Sequence, residues 1–101
     1  MAQFDVYRNA NSESAEEFPY LLDIQADLLG SLSTRVVVPL VRQEKNIQHL
    51  NPIFEINGES VVMLTQELSG IEQSALGEKV WSLKEQRSEI IAALDFLVSG
   101  F

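Results

Sequence analysis

The sequence predicts one mainly β domain that closes on a long C-terminal α-helix. Three observations support this fold class: short apolar runs alternate with polar residues, turn-forming residues separate the runs, and a helical pattern follows Ser82. The chain has 101 residues, 46% of them hydrophobic, which suits a single domain with a sizeable core. No repeat of fixed period divides the chain. We therefore predict one domain over residues 1–101, with five or more short antiparallel strands before the helix.

The strands follow from alternation and from turn residues. Asn57-Gly58 between two apolar runs is a strong hairpin signal, because both residues tolerate positive φ. Pro39 has no amide hydrogen to donate to a neighbouring strand, so we place it at a sheet edge or a bulge. The predicted strands are Gln3–Arg8, Tyr20–Gln25, Thr34–Val41, Pro52–Asn57 and Ser60–Thr65, with a further short strand or a turn around Ile71.

The C-terminal helix is predicted from a capping box, in which Ser82 and Glu85 satisfy free backbone amides. It should begin near Leu83. Its apolar residues cover roughly 220° of the circumference, about twice the stripe of an ordinary surface helix. Two interpretations stay open: the helix packs only on its own domain, or its extra apolar face meets a second copy of the chain.

Two apolar segments are candidates for partner binding. Gly100 can end the helix in a left-handed conformation, and Phe101 follows it, so this end is either tucked into the fold or kept for a partner. Leu28 and Leu29 precede Gly30 in a loop, where they either fill the core or form an exposed anchor.

Composition limits the function. The chain has no cysteine, and its 15 acidic and 7 basic residues give a net charge of −8. This charge disfavours direct nucleic-acid binding, except through a complex with a basic partner. No segment approaches the ~20 apolar residues of a membrane span, and no basic leader precedes an apolar run. We expect a cytoplasmic protein without membrane contact.

The residues offer little for catalysis. His49 is the only histidine, and a catalytic triad or a zinc site would need more partners of suitable type around it. Phosphate-binding glycine loops and the nucleophile-elbow motif are absent. Pairs such as Asp23 and Asp27 are expected by composition alone in so acidic a chain. The prediction is a binding protein that is not an enzyme, with no catalytic residue, no metal and no cofactor.

Four segments carry a family resemblance: Q-F-D-V-Y at residues 3–7, D-I-Q-A-D-L-L at 23–29, R-V-V-V-P-L at 35–40, and a helix closing on Gly100 and one apolar residue. In this order and spacing, the chain resembles the CcdB toxins along its whole length. The resemblance implies a small antiparallel SH3-like barrel of the CcdB/MazF type, working as a homodimer. It also implies a toxin that binds the A subunit of DNA gyrase and traps the DNA-cleaved state, and that a CcdA-like antitoxin removes.

The resemblance also implies where partners bind. Gyrase contacts map to the end of the helix, at Asp95, Val98, Ser99, Gly100 and Phe101, and antitoxin contacts map to Ala26, Leu28 and Leu29. The well-known plasmid toxin of the family has tryptophan at the position of Ser99 and isoleucine at that of Phe101. Two alternatives remain: an RNA endonuclease of the MazF type, which shares the fold, and a non-toxic diverged homologue that only binds antitoxin.

Overall fold

A computed structural model describes residues 2–42 and 47–100 of the protein. In these ranges seven strands precede one helix. The elements are β1 (Asp5–Asn9), β2 (Tyr20–Asp23), β3 (Thr34–Val41), β4 (Ile53–Ile56), β5 (Glu59–Met63), β6 (Ser69–Glu72), β7 (Leu76–Ser82) and α1 (Arg87–Ser99). Short 3-10 turns occur at Asp27–Leu29, Thr65–Glu67, Gln73–Ala75 and Lys84–Gln86.

All strands pair antiparallel in one sheet with the order β4-β5-β3-β2-β1-β7, and β6 pairs with the first half of β3. Among the described residues, three of the six pairings, β1–β2, β2–β3 and β4–β5, join strands that follow each other in the chain, and the other three, β1–β7, β3–β5 and β3–β6, join strands that are farther apart. The predicted fold class, mainly antiparallel β with one C-terminal helix, is confirmed.

The hairpin between β4 and β5 confirms the Asn57-Gly58 prediction. Asn57 has φ 52° and Gly58 has φ 80°, so both turn residues lie in the left-handed region that a tight hairpin turn needs. The two strands that they join are a little shorter than predicted, at Ile53–Ile56 and Glu59–Met63.

The placement of Pro39 at a sheet edge is wrong, because β3 is the central strand. The carbonyl oxygen of Pro39 accepts a hydrogen bond from the amide of Leu64 at 3.0 Å, so its nitrogen faces the same side. On that side β6 pairs only as far as Val37, and β5 begins pairing at Leu40. The missing amide hydrogen therefore falls in the gap between two partner strands, where no ladder bond is lost.

One face of the sheet forms the main core with α1. Ile90 and Ala93 of the helix are buried in it, and Ile91 and Leu94 pack at its margin. The sheet contributes Val6, Tyr20, Leu22, Val38, Leu40, Phe54, Ile56, Val61 and Met63, and Phe4 joins them from the turn before β1.

The helix begins later than predicted. Residues 76–82 stay extended because β7 pairs with β1, and the amide of Leu83 donates to the carbonyl of Phe4 at 2.8 Å. Ser82 therefore ends a strand, and α1 starts at Arg87 after a 3-10 turn, without a side-chain cap. Long-range strand pairing has overridden the local capping signal.

Candidate functional site

The last turn of α1 brings together four of the five residues predicted to bind gyrase: Asp95, Val98, Ser99 and Gly100. Val98 is 86% exposed, a high value for an apolar side chain on an ordered helix. The fifth residue, Phe101, lies outside the described residues. The helix end therefore presents an apolar side chain, an acidic one and a small hydroxyl side by side.

Local hydrogen bonds shape this end of the helix. Gly100 has φ 78° and its amide donates to the carbonyl of Phe96 at 2.8 Å, which closes the last turn. The Ser99 hydroxyl donates to the carbonyl of Asp95 at 2.7 Å. Glycine suits the left-handed cap because it has no Cβ to clash with the backbone. The turn that carries Val98 is therefore well defined before any partner arrives.

A groove of about 520 Å³ runs beside this helix end. Glu89, Ala92 and Phe96 of α1 form one wall, spaced along a single helix face. The opposite wall includes His49, whose ring lies 5.9 Å from that of Phe96, and Ile53, which is half exposed. This groove was not predicted from the sequence. The helical spacing of residues 89, 92 and 96 was the available signal, and the facing wall was not visible without the fold.

The predicted antitoxin residues lie on the 3-10 turn after β2. Leu28 is 97% exposed, and Ala26 and Leu29 are also exposed. Of the two interpretations left open for this pair, the core plug is therefore excluded. Leu32, which the sequence analysis missed, is also exposed just beyond the turn, and leucine clustering around Gly30 could have indicated it. We call Leu28, Leu29 and Leu32 the leucine turn.

A buried polar network lies beneath the leucine turn. Arg35 is 1% exposed and Asp23 is fully buried, and the guanidinium bonds one carboxylate oxygen at 3.0 Å and 2.5 Å. Burial raises the pKa of Asp23 above its usual value, while bonds from Arg35 and from the Gln25 amide oppose that rise. Hydrogen bonds from Arg35 and from the backbone amide of Gln25 therefore replace the hydration that the Asp23 carboxylate loses on burial.

The helix end and the leucine turn are held in place by different parts of the fold. The turn rests on β2, on β3 and on Gln3, whose amide donates to a carboxylate oxygen of Asp27 at 2.8 Å. The helix packs against the turns at Thr65–Glu67 and Lys84–Gln86. Because these supports differ, the two surfaces can be altered separately by mutation. They still belong to one core, since Ile24 packs against the same cluster as Ile91 and Leu94.

Within residues 2–42 and 47–100, no group of three His, Asp or Glu side chains is placed to hold a metal ion. Three of the arginines are each paired with a carboxylate: Arg8 with Glu78, Arg35 with Asp23 and Arg42 with Glu59. In the same ranges, no helix is long and apolar enough to cross a membrane.

The same fold occurs in two solved structures of mycobacterial proteins. One is an endoribonuclease in complex with its cognate antitoxin, with a TM-score of 0.81 and 14% identity over 97% of this chain and 94% of that one. The other is an endoribonuclease with a TM-score of 0.76 and 13% identity over 97% of this chain and 90% of that one. These structures share the architecture of the chain. The family model for CcdB protein matches residues 3–100, and the chain belongs to the CcdB family of toxins.

The prediction that the chain is not an enzyme is contradicted. It depended on the absence of familiar catalytic motifs, yet the two solved structures described above are endoribonucleases. Sequence motifs for triads and phosphate loops do not cover every catalytic arrangement, because catalytic groups are recognised by geometry and not by spacing in the chain.

Proposed function

We propose that the chain is the toxin of a toxin–antitoxin module and that it binds the A subunit of DNA gyrase through the end of α1. The observation that carries this proposal is the near-complete exposure of Val98 on a turn capped by Gly100, in a member of the CcdB family. Apolar side chains held in the open on rigid elements are typical binding anchors. The protein would act in the cytoplasm, where gyrase works.

Binding at this site would poison gyrase by a shift in population. A ligand that prefers the DNA-cleaved conformation of a moving enzyme stabilises that conformation by its difference in affinity between states. The preference needed is modest, because about 1.4 kcal/mol changes a conformational equilibrium tenfold. Phe101 belongs to the proposed surface because it directly follows Gly100 in the sequence.

We further propose that the leucine turn, with Ala26, binds a CcdA-like antitoxin. An amphipathic or extended segment could cover the leucine side chains and remove them from water, at roughly 25 cal/mol for each Å² of apolar area. The mycobacterial structure that contains a toxin-fold endoribonuclease with its cognate antitoxin supports an antitoxin as the class of partner.

A homodimer remains part of the proposal. Leu97 of α1 and Trp81 of β7 are each about 40% exposed, so apolar surface is left for a second copy to cover. Light scattering at micromolar concentration would measure the molecular mass directly, and the mass of a monomer would exclude the homodimer.

The gyrase site is tested by Ser99→Arg, which places a long cation beside Val98 on the exposed side of the helix. We expect gyrase A binding, measured by calorimetry, to weaken at least tenfold (about 1.4 kcal/mol). The matched control is Ser74→Arg, the same change at an exposed position on the turn after β6. Equal binding by both variants and the original chain would refute the helix end as the site.

RNA cleavage is the second candidate, favoured by the two endoribonucleases that share the fold. Incubation of the purified protein with total RNA tests it. Sequence-specific fragments from this chain, absent with a heat-denatured sample, would make RNA the target instead of gyrase.

A further inference from the structure

We propose that Gln25 is a positioning residue for antitoxin binding: it fixes the leucine turn by fastening it to the buried Asp23–Arg35 pair and to β3. This inference rests on the proposed antitoxin function of the turn. The residue itself is buried and does not face a partner.

Gln25 makes three hydrogen bonds in three directions. Its backbone amide donates to Asp23 Oδ1 at 3.0 Å, its side-chain Oε1 accepts from the amide of Val36 at 3.0 Å, and its Nε2 donates to the carbonyl of Leu29 at 2.8 Å. Donor and acceptor of one side-chain amide thus bridge the central strand and the exposed turn. Only an amide side chain of this length supplies both groups at once.

The pair below Gln25 gives it a fixed base. Both bonds from Arg35 go to Asp23 Oδ2, which leaves Oδ1 for the Gln25 amide. Arg35 NH1 also comes within 4.0 Å of the place where a Cβ on Gly30 would lie, so the guanidinium sits directly under the turn. A rigid, planar guanidinium is well suited to hold this geometry.

Besides Gln25, three short backbone bonds hold the turn, from the amides of Leu29, Gly30 and Leu32 to the carbonyls three residues earlier. A 3-10 turn of three residues has few internal bonds, and none of its residues is buried. Leu28 lies in water before binding and therefore adds no packing. The other side-chain bond, from the Gln3 amide to Asp27, is exposed to solvent. Fixing the turn in advance should strengthen binding, because less conformational entropy is lost when the partner docks.

Two variants separate this role from general folding. Gln25→Glu keeps an acceptor for Val36 but replaces the donor to Leu29 with a carboxylate. Gln25→Met removes both side-chain bonds without adding charge. Gln73→Glu is the control for Gln25→Glu, since it makes the same substitution at an exposed position after β6.

The first measurement is hydrogen exchange of the backbone amides of residues 26–32 in the purified full chain. We expect both Gln25 variants to exchange at least tenfold faster there, while the amides of β3 and α1 keep their protection and Gln73→Glu matches the original chain. Unchanged exchange in the turn would overturn the proposal. Global loss of protection in Gln25→Met would also overturn it, because the residue would then serve the core and not the turn.

The second measurement uses the product of the reading frame adjacent to this gene as the antitoxin probe. We expect about tenfold weaker binding to Gln25→Glu, the effect of leaving one carbonyl without its donor, with gyrase A binding unchanged. If the probe binds the original chain, loses affinity for Leu28→Ser and binds Gln25→Glu normally, the positioning role is refuted and the proposed function stands. If the probe does not bind the original chain, the antitoxin function fails, and the exchange data still decide whether Gln25 fixes the turn.

Discussion

The buried pair of Asp23 and Arg35 makes the sharpest stability prediction. Replacing Arg35 with methionine leaves the Asp23 carboxylate fully buried without a cation. Two opposite charges about 3 Å apart attract by roughly 5 kcal/mol at an effective dielectric of about 20. After the cost of desolvating the arginine is deducted, breaking such a pair costs about 3–5 kcal/mol. That is a large part of the roughly 5–15 kcal/mol that holds a domain of this kind folded.

Urea unfolding followed by far-ultraviolet circular dichroism measures this loss. The double variant Asp23→Asn with Arg35→Met is the control, since it removes both charges and keeps a carbonyl oxygen to accept from the amide of Gln25. We expect it to recover most of the loss, because the main cost of the single variant is an unpaired charge. A single variant that loses less than about 1 kcal/mol, or a double variant no better than the single one, would refute the reasoning.

Three further predictions follow. Leu28→Ser should leave the unfolding free energy within about 0.5 kcal/mol of the original, as expected for an exposed site, while antitoxin binding measured by calorimetry falls at least tenfold; normal binding would count against the leucine turn. Gly100→Ala should destabilise the helix end by about 1–2 kcal/mol in thermal unfolding, because alanine is strained at φ 78°; an unchanged melting temperature would contradict the left-handed cap. Hydrogen bonds from Arg42 lower the pKa of Glu59 below 4.5, so this carboxylate stabilises the fold above pH 4.5 and the contribution is lost as the pH falls through the lowered value. Glu59→Gln should therefore unfold with a shallower dependence on pH below 4.5, and an identical acid profile would exclude the ion pair.

Local signals predicted the parts of the fold that local chemistry decides. The Asn57-Gly58 hairpin formed as expected, since positive φ is a property of those two residues. The β-branched run of β3 occupies the predicted residues, 34–41. The capping signal at Ser82 failed because pairing between β7 and β1 competes with it, and that pairing joins distant parts of the chain.

The features of the candidate site that lie within one short segment of the chain could be predicted from the sequence. The exposure of Leu28 and the left-handed Gly100 agree with interpretations made from single segments. The groove beside Phe96 and the support under the leucine turn could not be predicted, because each joins residues from separate elements. Arg35 in particular lies twelve residues from Asp23 in the chain, and only the pairing of β2 with β3 shows that the two side chains meet.

A DNA cleavage assay is the strongest test of gyrase poisoning by this chain. Gyrase, supercoiled plasmid and ATP are incubated with the chain, and the reaction is stopped with detergent and protease so that trapped breaks appear as linear DNA. If the end of α1 traps cleaved gyrase, we expect linear DNA with the original protein and with Ser74→Arg, and little or none with Ser99→Arg. Well-folded original protein that gives no linear DNA and does not bind gyrase A would contradict it.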